Sequence, residues 1–192
     1  MIVAVAGTKG GSGKTTTAVC LAQEAAGRGV DVLLLDLDPQ GTATEWVPEL
    51  SKHVPAVRNA QEVAALGADR ELVLIDTPPG AAAQALAALE AADVVVAVTG
   101  LGPGDMRGLQ HLLRMVEPDL IVPVRRDARR TIHAHALEAL RSRWPERITD
   151  PVPMSAAIER AQADQASLPL LAPAAIAYRG IYESLIALGN RL

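Results

Sequence analysis

The stretch GTKGGSGKTTT, residues 7–17, constrains the fold of this chain more than any other feature. Gly10, Gly11 and Gly13 let the backbone turn so tightly that several N–H groups can point at one anion. Lys14 supplies a cation for the β- and γ-phosphates of a nucleotide, and the Thr15 hydroxyl can complete a Mg²⁺ shell. An apolar run at residues 2–6 precedes the loop, and a helical periodicity follows it. This order of strand, glycine loop and helix predicts a phosphate-binding loop.

A second lysine distinguishes this loop from its simplest form. The pattern G-x-x-x-x-G-K-[ST] requires glycine where the chain has Thr8, and Lys9 precedes the glycine pair. With the segment KGGSGKT, the chain resembles the ParA/MinD family of P-loop ATPases, which carry the deviant Walker A motif. The resemblance implies that Lys9 reaches the phosphates of a partner chain across a nucleotide-sandwich dimer. It places the nucleotide against Lys9, Gly10, Gly11, Ser12, Gly13, Lys14, Thr15 and Thr16. The alternative is a glycine-rich turn with surface lysines, which the agreement of loop, context and both lysines disfavours.

Strands and helices are predicted to alternate along the whole chain. After residues 2–6, we predict strands at residues 30–35, 71–75, 93–98 and 120–124, and a short strand near 148–152. Helices are predicted at residues 14–28, 60–68, 81–91, 105–117, 131–143 and 174–191, and after the N-cap residue Ser155. Residues 46–58 give no clear pattern. The expected fold is α/β, a mostly parallel twisted sheet with helices on both faces, formed by residues 1–192 as a single P-loop ATPase domain.

Carboxylates follow two of the predicted strands. DLDPQG begins at Asp36, and DTPPG begins at Asp76. An acidic residue that ends such a strand is the second Mg²⁺ element of P-loop proteins, so Asp76 and Thr15 are the candidate metal residues. The resemblance implies that Asp38 orients the attacking water and that Asp36 and Gln40 belong to a nucleotide-sensing switch. The alternative is that Asp36 and Asp38 only shape an Asp-Pro turn. Lys9, Lys14 and Asp38 are therefore the candidate catalytic residues.

The segment RRDARR, residues 125–130, is the densest basic cluster in the chain. Its arginines, Arg125, Arg126, Arg129 and Arg130, have two interpretations. They could contact a DNA phosphate backbone, since charge neutralisation supplies most nonspecific DNA affinity. Alternatively, they form a solvated loop paired with nearby carboxylates. A net charge of −4 restricts any DNA contact to a local surface.

Composition excludes several classes of protein. Cys20 is the only cysteine, so one chain can form neither a disulfide framework nor a cysteine-built Fe–S site of the nitrogenase-iron-protein kind. The start MIVAVAG lacks the basic region of a signal peptide, and no apolar run reaches the ~18 residues of a membrane span. We therefore expect a cytoplasmic protein, and the resemblance implies that it associates with the nucleoid when it binds ATP.

The resemblance implies a short ParA, without the N-terminal DNA-binding extension of longer relatives. Such a protein dimerises on Mg²⁺-ATP, binds DNA without sequence preference and hydrolyses ATP slowly until a ParB-like or other partner stimulates it. The prediction of ATP rather than GTP as the nucleotide rests on the resemblance alone. Val124 stands where relatives often have Asn or Thr near the adenine, and valine cannot make that hydrogen bond. A metabolic P-loop enzyme similar to dethiobiotin synthetase is one alternative. A membrane-associated, MinD-like positioning factor is another, which the few basic residues of the last predicted helix disfavour.

Overall fold

Six parallel strands form the sheet of this protein. In the computed structural model, which describes residues 1–7, 9–80 and 82–191, the strand order is β3-β2-β4-β1-β5-β6. All five strand pairings are parallel, and β1 lies at the centre between β4 and β5. The strands are β1 (Ile2–Ala6), β2 (Val32–Asp36), β3 (Ser51–His53), β4 (Leu72–Asp76), β5 (Val94–Thr99) and β6 (Leu120–Pro123).

Helices cover both faces of this sheet. Within the described residues, the helices are α1 (Lys14–Gly27), α2 (Thr42–Trp46), α3 (Ala60–Gly67), α4 (Ala83–Ala91), α5 (Pro103–Leu112), α6 (Thr131–Arg143), α7 (Ala156–Ala163) and α8 (Pro173–Gly189). One face packs against α1, α2, α7 and α8, and the other packs against α3 to α6. The predicted α/β fold, a parallel sheet with helices on both faces, is confirmed.

The central strand shows how the sequence produces two cores. Val3 and Val5 contribute to the apolar cluster on the α1 and α8 face, whereas Ala4 lies in the cluster on the opposite face. Successive side chains of a strand point to opposite faces, so an unbroken apolar run is buried on both. The core holds alanine, valine, leucine and isoleucine with few aromatic side chains, which allows the helices to pack closely on the sheet.

The predicted strand near residues 148–152 is wrong. This segment makes one isolated bridge, Ile121 with Ile148, and the residue after it makes another, Arg126 with Pro153. The N–H groups of Thr149 and Val152 do donate to carbonyl oxygens of β6. Prolines at positions 151 and 153 have no N–H to donate, so the segment cannot continue the ladder that a strand requires.

Other boundaries shift for local reasons. β2 and β4 each extend to include the aspartate predicted to follow them, Asp36 and Asp76, which pair in register. Helix α5 begins earlier than predicted, because Pro103 suits the first turn of a helix, and it ends at Leu112 rather than residue 117. The unassigned region 46–58 contains the end of α2 and the edge strand β3. One predicted helix position, Ala81, lies outside the described residues.

The last helix packs into the core. Tyr178, Ile181 and Leu185 of α8 are buried against α1 and the sheet. The apolar face of α8 is therefore occupied by the protein itself and is not left free for a lipid surface. In the described part of the chain, no helix combines the length and the apolar character needed to cross a membrane.

Candidate functional site

A cleft of about 780 Å³ opens where the carboxyl ends of the strands meet. Parallel α/β sheets bind ligands at this edge, because the loops that leave the strands surround it. The volume is within the range of small-molecule sites. The cleft is lined by Gly10, Gly11, Ser12, Gly13, Lys14, Thr15, Thr16, Asp38, Pro39, Gln40, Thr42, Pro78, Pro79, Val124, Arg125, Val152, Pro153, Met154, Ser155, Ile158, Glu159, Gln162 and Tyr178.

The glycine loop has the backbone conformation of an anion cradle. Gly11 and Gly13 have φ angles of 70° and 96°, which side-chain-bearing residues rarely adopt. A Cβ on Gly13 would also lie 3.1 Å from the Val124 side chain, so two separate constraints require glycine there. Gly13 is the N-cap of α1, and the positive end of the α1 dipole faces the cleft. Gly10 is different, because a Cβ added there would meet no described atom within 4 Å.

Lys14 is a buried cation at the base of the cleft. Its side chain is 5% exposed, and its Nζ donates to the carbonyl oxygen of Lys9 at 3.5 Å. Burial lowers the pKa of Lys14, and the negative charges of Asp76 and Asp38 oppose that shift. The nearby Ser12 hydroxyl is also buried and has no hydrogen-bond partner among the described residues. A phosphate oxygen in the cleft would satisfy both groups.

Asp76 ends β4 as a fully buried carboxylate. Neither of its oxygens has a hydrogen-bond partner within the described residues. Burial raises its pKa to about 7; Asp36 and Asp38 add to the rise, and the Thr15 hydroxyl and Lys14 oppose it. An unpartnered carboxylate beside a threonine hydroxyl fits Mg²⁺, which takes one or two protein oxygens and completes its shell with phosphates and water. The described residues contain no cluster of three or more potential ligands, so a cage made wholly by the protein is not available there.

Asp36 and Asp38 have different roles in the segment between β2 and α2. Asp36 is fully buried and accepts hydrogen bonds from the Thr44 N–H at 2.9 Å, the Thr44 hydroxyl at 3.1 Å and the Asp38 N–H at 3.2 Å. It therefore fixes the start of α2. Asp38 lines the cleft, and its Oδ1 accepts the Gln40 N–H at 3.0 Å. Asp38 thus shapes the turn, as the structural alternative predicted, and also faces the ligand space.

Lys9 lies outside the cleft. Its side chain is 61% exposed, and its Nζ lies 3.5 Å from Oδ1 of Asp105 at the start of α5. The structure therefore brings Lys14, Thr15 and Asp38 together but leaves Lys9 beside them on the surface. Sequence reasoning missed Asp105, because the proximity of α5 to the glycine loop is a property of the fold and no sequence motif marks it.

The four predicted arginines do not form one uniform surface. Arg125 lines the cleft, and its Nη2 lies 3.8 Å from Oδ1 of Asp105. Arg129 is exposed and holds Asp127 through Nε and Nη2, both at 3.0 Å. This pairing is the main reason that the pKa of Asp127 is lowered to about 2.

Arg126 and Arg130 complete the cluster. Arg126 is half-buried, and its backbone bonds to Val152 and Met154. Arg130 is an exposed residue at the start of α6. The paired-loop interpretation therefore fits Arg125 and Arg129, which have carboxylate partners, and the DNA interpretation remains a prediction.

An apolar end of the cleft can receive a nucleotide base. Val124, Val152 and Ile158 line it, together with Pro153, Met154 and Ser155 of the loop that precedes α7. Glu159 and Gln162 of α7 add polar side chains at this end, and no motif in the sequence marks them. Behind the cleft, the Tyr178 and Thr17 hydroxyls lie 3.3 Å apart, which links α8 to α1.

Comparisons with known proteins agree with this architecture. A family model described as the CobQ/CobB/MinD/ParA nucleotide binding domain matches residues 3–168. The maintenance of carboxysome distribution protein A of Gloeobacter kilaueensis is 44% identical over 113 residues, which are 55% of this chain and 51% of that protein. The protein ParA of Rhizobium radiobacter is 34% identical over 103 residues, 50% of this chain and 46% of that protein.

A solved structure extends the comparison to nearly the whole chain. The plasmid partition protein of Borrelia burgdorferi B31, bound to AMPPNP, superposes with a TM-score of 0.76 and 19% identity. The match covers 99% of this chain and 98% of that chain, and at this identity it shows a shared fold. The chain matches only about half the length of the two curated relatives.

The raised pKa of Asp76 predicts a pH-dependent stability. In the unfolded chain an aspartate titrates near pH ~4, so between that pH and about 7 the folded protein binds a proton that the unfolded chain does not. Without nucleotide and Mg²⁺, stability should therefore fall as the pH rises through this range. Asp76→Asn, which cannot ionise, should be more stable than the original protein at pH 8 and equal to it near pH 4. Urea unfolding in EDTA across this range measures the difference.

Asp69 is an exposed aspartate and provides the control for this prediction. Asp69→Asn should leave the pH dependence unchanged. If the stability curves of Asp76→Asn and the original protein run parallel from pH 4 to 8, the buried carboxylate does not carry the expected proton.

Proposed function

Because the chain belongs to the family of CobQ/CobB/MinD/ParA nucleotide-binding domains, we propose that it is a ParA-type ATPase switch that dimerises on ATP and Mg²⁺. Two lysines with different exposure support this proposal most directly. Lys14 is buried at the base of the cleft, whereas Lys9 lies outside it with 61% of its side chain exposed. We assign Lys14 to the phosphates of its own nucleotide, and we assign the exposed Lys9, which lies beside Asp105 in its own chain, to a second molecule.

ATP binds in the cleft with its phosphates on the glycine loop and its base between β6 and α7. The N–H groups at the start of α1 and the Lys14 ammonium hold the phosphates. Thr15 and Asp76 would hold Mg²⁺, which would supply positive charge beside the phosphates when bound. Asp38 accepts a hydrogen bond from the attacking water and positions it for displacement of the γ-phosphate.

The dimer gives the switch its timing. Lys9 of each copy crosses to the phosphates held by the other copy, so loss of the γ-phosphate weakens the contact between the two copies. Phosphoryl transfer depends mainly on positioning and charge stabilisation. Because part of the site comes from a second chain, one chain by itself hydrolyses ATP slowly. A ParB-like or other partner protein accelerates hydrolysis by improving that positioning.

The ATP-bound dimer binds DNA without sequence preference, which retains the protein on the nucleoid. Arg130 is exposed, and Arg129 is 87% exposed although it pairs with Asp127. Two copies of the cluster present twice the positive charge of one, and nonspecific DNA affinity grows steeply with the number of neutralised phosphates. Dimerisation therefore controls DNA binding, and hydrolysis releases the protein.

A metabolic P-loop enzyme is the second candidate, because the matching family model also includes CobQ and CobB. Such an enzyme needs a second substrate next to the γ-phosphate. The name of the Gloeobacter kilaueensis relative, which concerns carboxysome distribution, favours the switch. ADP release that requires a small-molecule acceptor and occurs without dimerisation would favour the enzyme.

Substitution of the lysines tests the proposal. Lys14→Ala should weaken ATP binding about 10- to 100-fold, because it removes a buried charge-assisted contact. Lys9→Ala should retain ATP affinity as a monomer but lose dimerisation and hydrolysis. The chain's other lysine, Lys52, is exposed on β3 and provides the control, since Lys52→Ala should change neither property. Calorimetry and light scattering measure binding and mass. Normal dimerisation of Lys9→Ala would show that Lys9 does not act across the interface.

The DNA assignment requires a charge-matched comparison. Arg126, Arg129 and Arg130 changed together to Gln should weaken plasmid retention and lower the salt slope by about 2–3, because each phosphate contact contributes close to one. The control changes Arg141, Arg143 and Arg147 to Gln, which removes the same charge from another surface. Retention is measured with Mg²⁺-ATP at several salt concentrations. Equal retention by both triple variants would show that the arginine cluster is a solvated surface loop and not a DNA contact.

A further inference from the structure

We propose that Arg125 is a positioning residue that neutralises Asp105 when Lys9 leaves that carboxylate for the phosphates of a second copy. The inference rests on the proposed ATP-dependent dimer and adds a residue that makes the crossing of Lys9 favourable. Arg125 belongs to the arginine cluster by sequence, but its side chain is directed toward the glycine loop and α5. It therefore has a role separate from that of the other three arginines.

Asp105 presents one satisfied and one unsatisfied oxygen. Its Oδ2 accepts the N–H of Gly102 at 3.2 Å, which fixes the side chain at the start of α5. Its Oδ1 is buried and has no hydrogen-bond partner among the described residues, and only 16% of the side chain is exposed. A carboxylate this enclosed requires a positive charge beside it, because it has lost most of its hydration.

Two cations lie beside this oxygen, and neither is bonded to it. Nζ of Lys9 lies 3.5 Å from Oδ1, and Nη2 of Arg125 lies 3.8 Å from the same atom. A charge-assisted hydrogen bond to a carboxylate has a donor–acceptor distance of about 2.7–2.9 Å. Either cation would therefore need only a short movement to form one with Oδ1. Lys9 comes from the glycine loop and Arg125 from the loop after β6, so one can depart while the other stays.

The backbone holds Arg125 in place for this contact. Its φ of 56° lies in the left-handed region, and Gln165 is the only other non-glycine residue with positive φ among those described. Such conformations are unfavourable for side-chain-bearing residues, and they persist where neighbouring bonds fix them. The flanking N–H groups of Val124 and Arg126 donate to Thr99 and Val152 at 2.8 and 3.0 Å. Gly100 leaves room for the guanidinium, since a Cβ there would lie 3.0 Å from Nη2.

These contacts describe an exchange of counter-ions. While Lys9 stays in its own chain, Asp105 has two cations nearby. When Lys9 extends to a partner nucleotide, Arg125 closes on Oδ1 and keeps the carboxylate neutralised. Without Arg125, the departure of Lys9 would leave an uncompensated charge, and Asp105 would hold Lys9 in its own chain. Arg125 thus favours the dimer without contacting the nucleotide.

The test measures dimer dissociation constants with Mg²⁺ and a non-hydrolysable ATP analogue, in the absence of DNA. Arg125→Gln should weaken the dimer about tenfold, at roughly threefold for each of the two Lys9 side chains, the range of a partly exposed ion pair. In an Asp105→Asn background, Arg125→Gln should have no effect, because no carboxylate remains to retain Lys9. Arg125→Gly, which the left-handed backbone accepts without strain, should reproduce the Arg125→Gln result.

Arg141→Gln is the matched control. Arg141 of α6 pairs with Asp150, and 52% of its side chain is exposed, close to the 48% of Arg125. Its loss should leave the dimer unchanged. The inference is overturned if Arg125→Gln dimerises like the original protein, or if its defect persists in full with Asp105→Asn. It is also overturned if Arg125→Gln weakens ATP-analogue binding to the monomeric Lys9→Ala protein, since Arg125 would then contact the nucleotide. Failure of the original protein to dimerise would instead contradict the proposed function.

Discussion

The structure depends on how charges of opposite sign are held together at one edge of the sheet. Lys14 is almost fully buried, and Asp36 and Asp76 are completely buried within the same small region. Burial lowers the pKa of Lys14 and raises the pKa of Asp76, and the attraction between these two groups offsets only part of that cost. A phosphate beside Lys14 and a Mg²⁺ ion beside Asp76 would supply the missing partners. Without these ligands, the buried charged groups of the site are only partly compensated.

Much of the fold is predictable because strong local patterns agree with it. The glycine loop and the buried apolar runs identify five of the six strands, and the strand-terminal positions of Asp36 and Asp76 follow from them. The helix that the sequence patterns miss, α2, depends on interactions between distant residues, whereas the strand wrongly predicted at 148–152 fails for a local reason. Helix α2 is held by Asp36 and by the Trp46 indole, which donates to the carbonyl oxygen of Ala166 at 3.0 Å. The segment at 148–152 looks apolar enough for a strand, but Pro151 prevents continuous pairing.

The candidate site is only partly visible in the sequence for the same reason. Residues of a contiguous motif, such as Lys14 and Thr15, are placed by the loop that contains them. In contrast, Arg125 looks like part of a basic patch until the fold directs it toward Asp105. Asp105 carries no motif, and its importance arises because α5 begins beside Lys9. Motifs therefore predict the phosphate end of the cleft, whereas tertiary contacts determine the base end and the surface around Lys9.

The central claim is that two copies hold ATP between them and that the γ-phosphate keeps them together. The most direct measurement is the molar mass of Asp38→Ala by size-exclusion chromatography with light scattering, with Mg²⁺-ATP, with Mg²⁺-ADP and without nucleotide. The proposal assigns Asp38 to positioning the water and not to holding ATP, so it predicts that this variant has a mass of twice 20.1 kDa with ATP alone. Adding Lys9→Ala should return the protein to a monomer. An Asp38→Ala protein that binds ATP and remains a monomer would contradict the account.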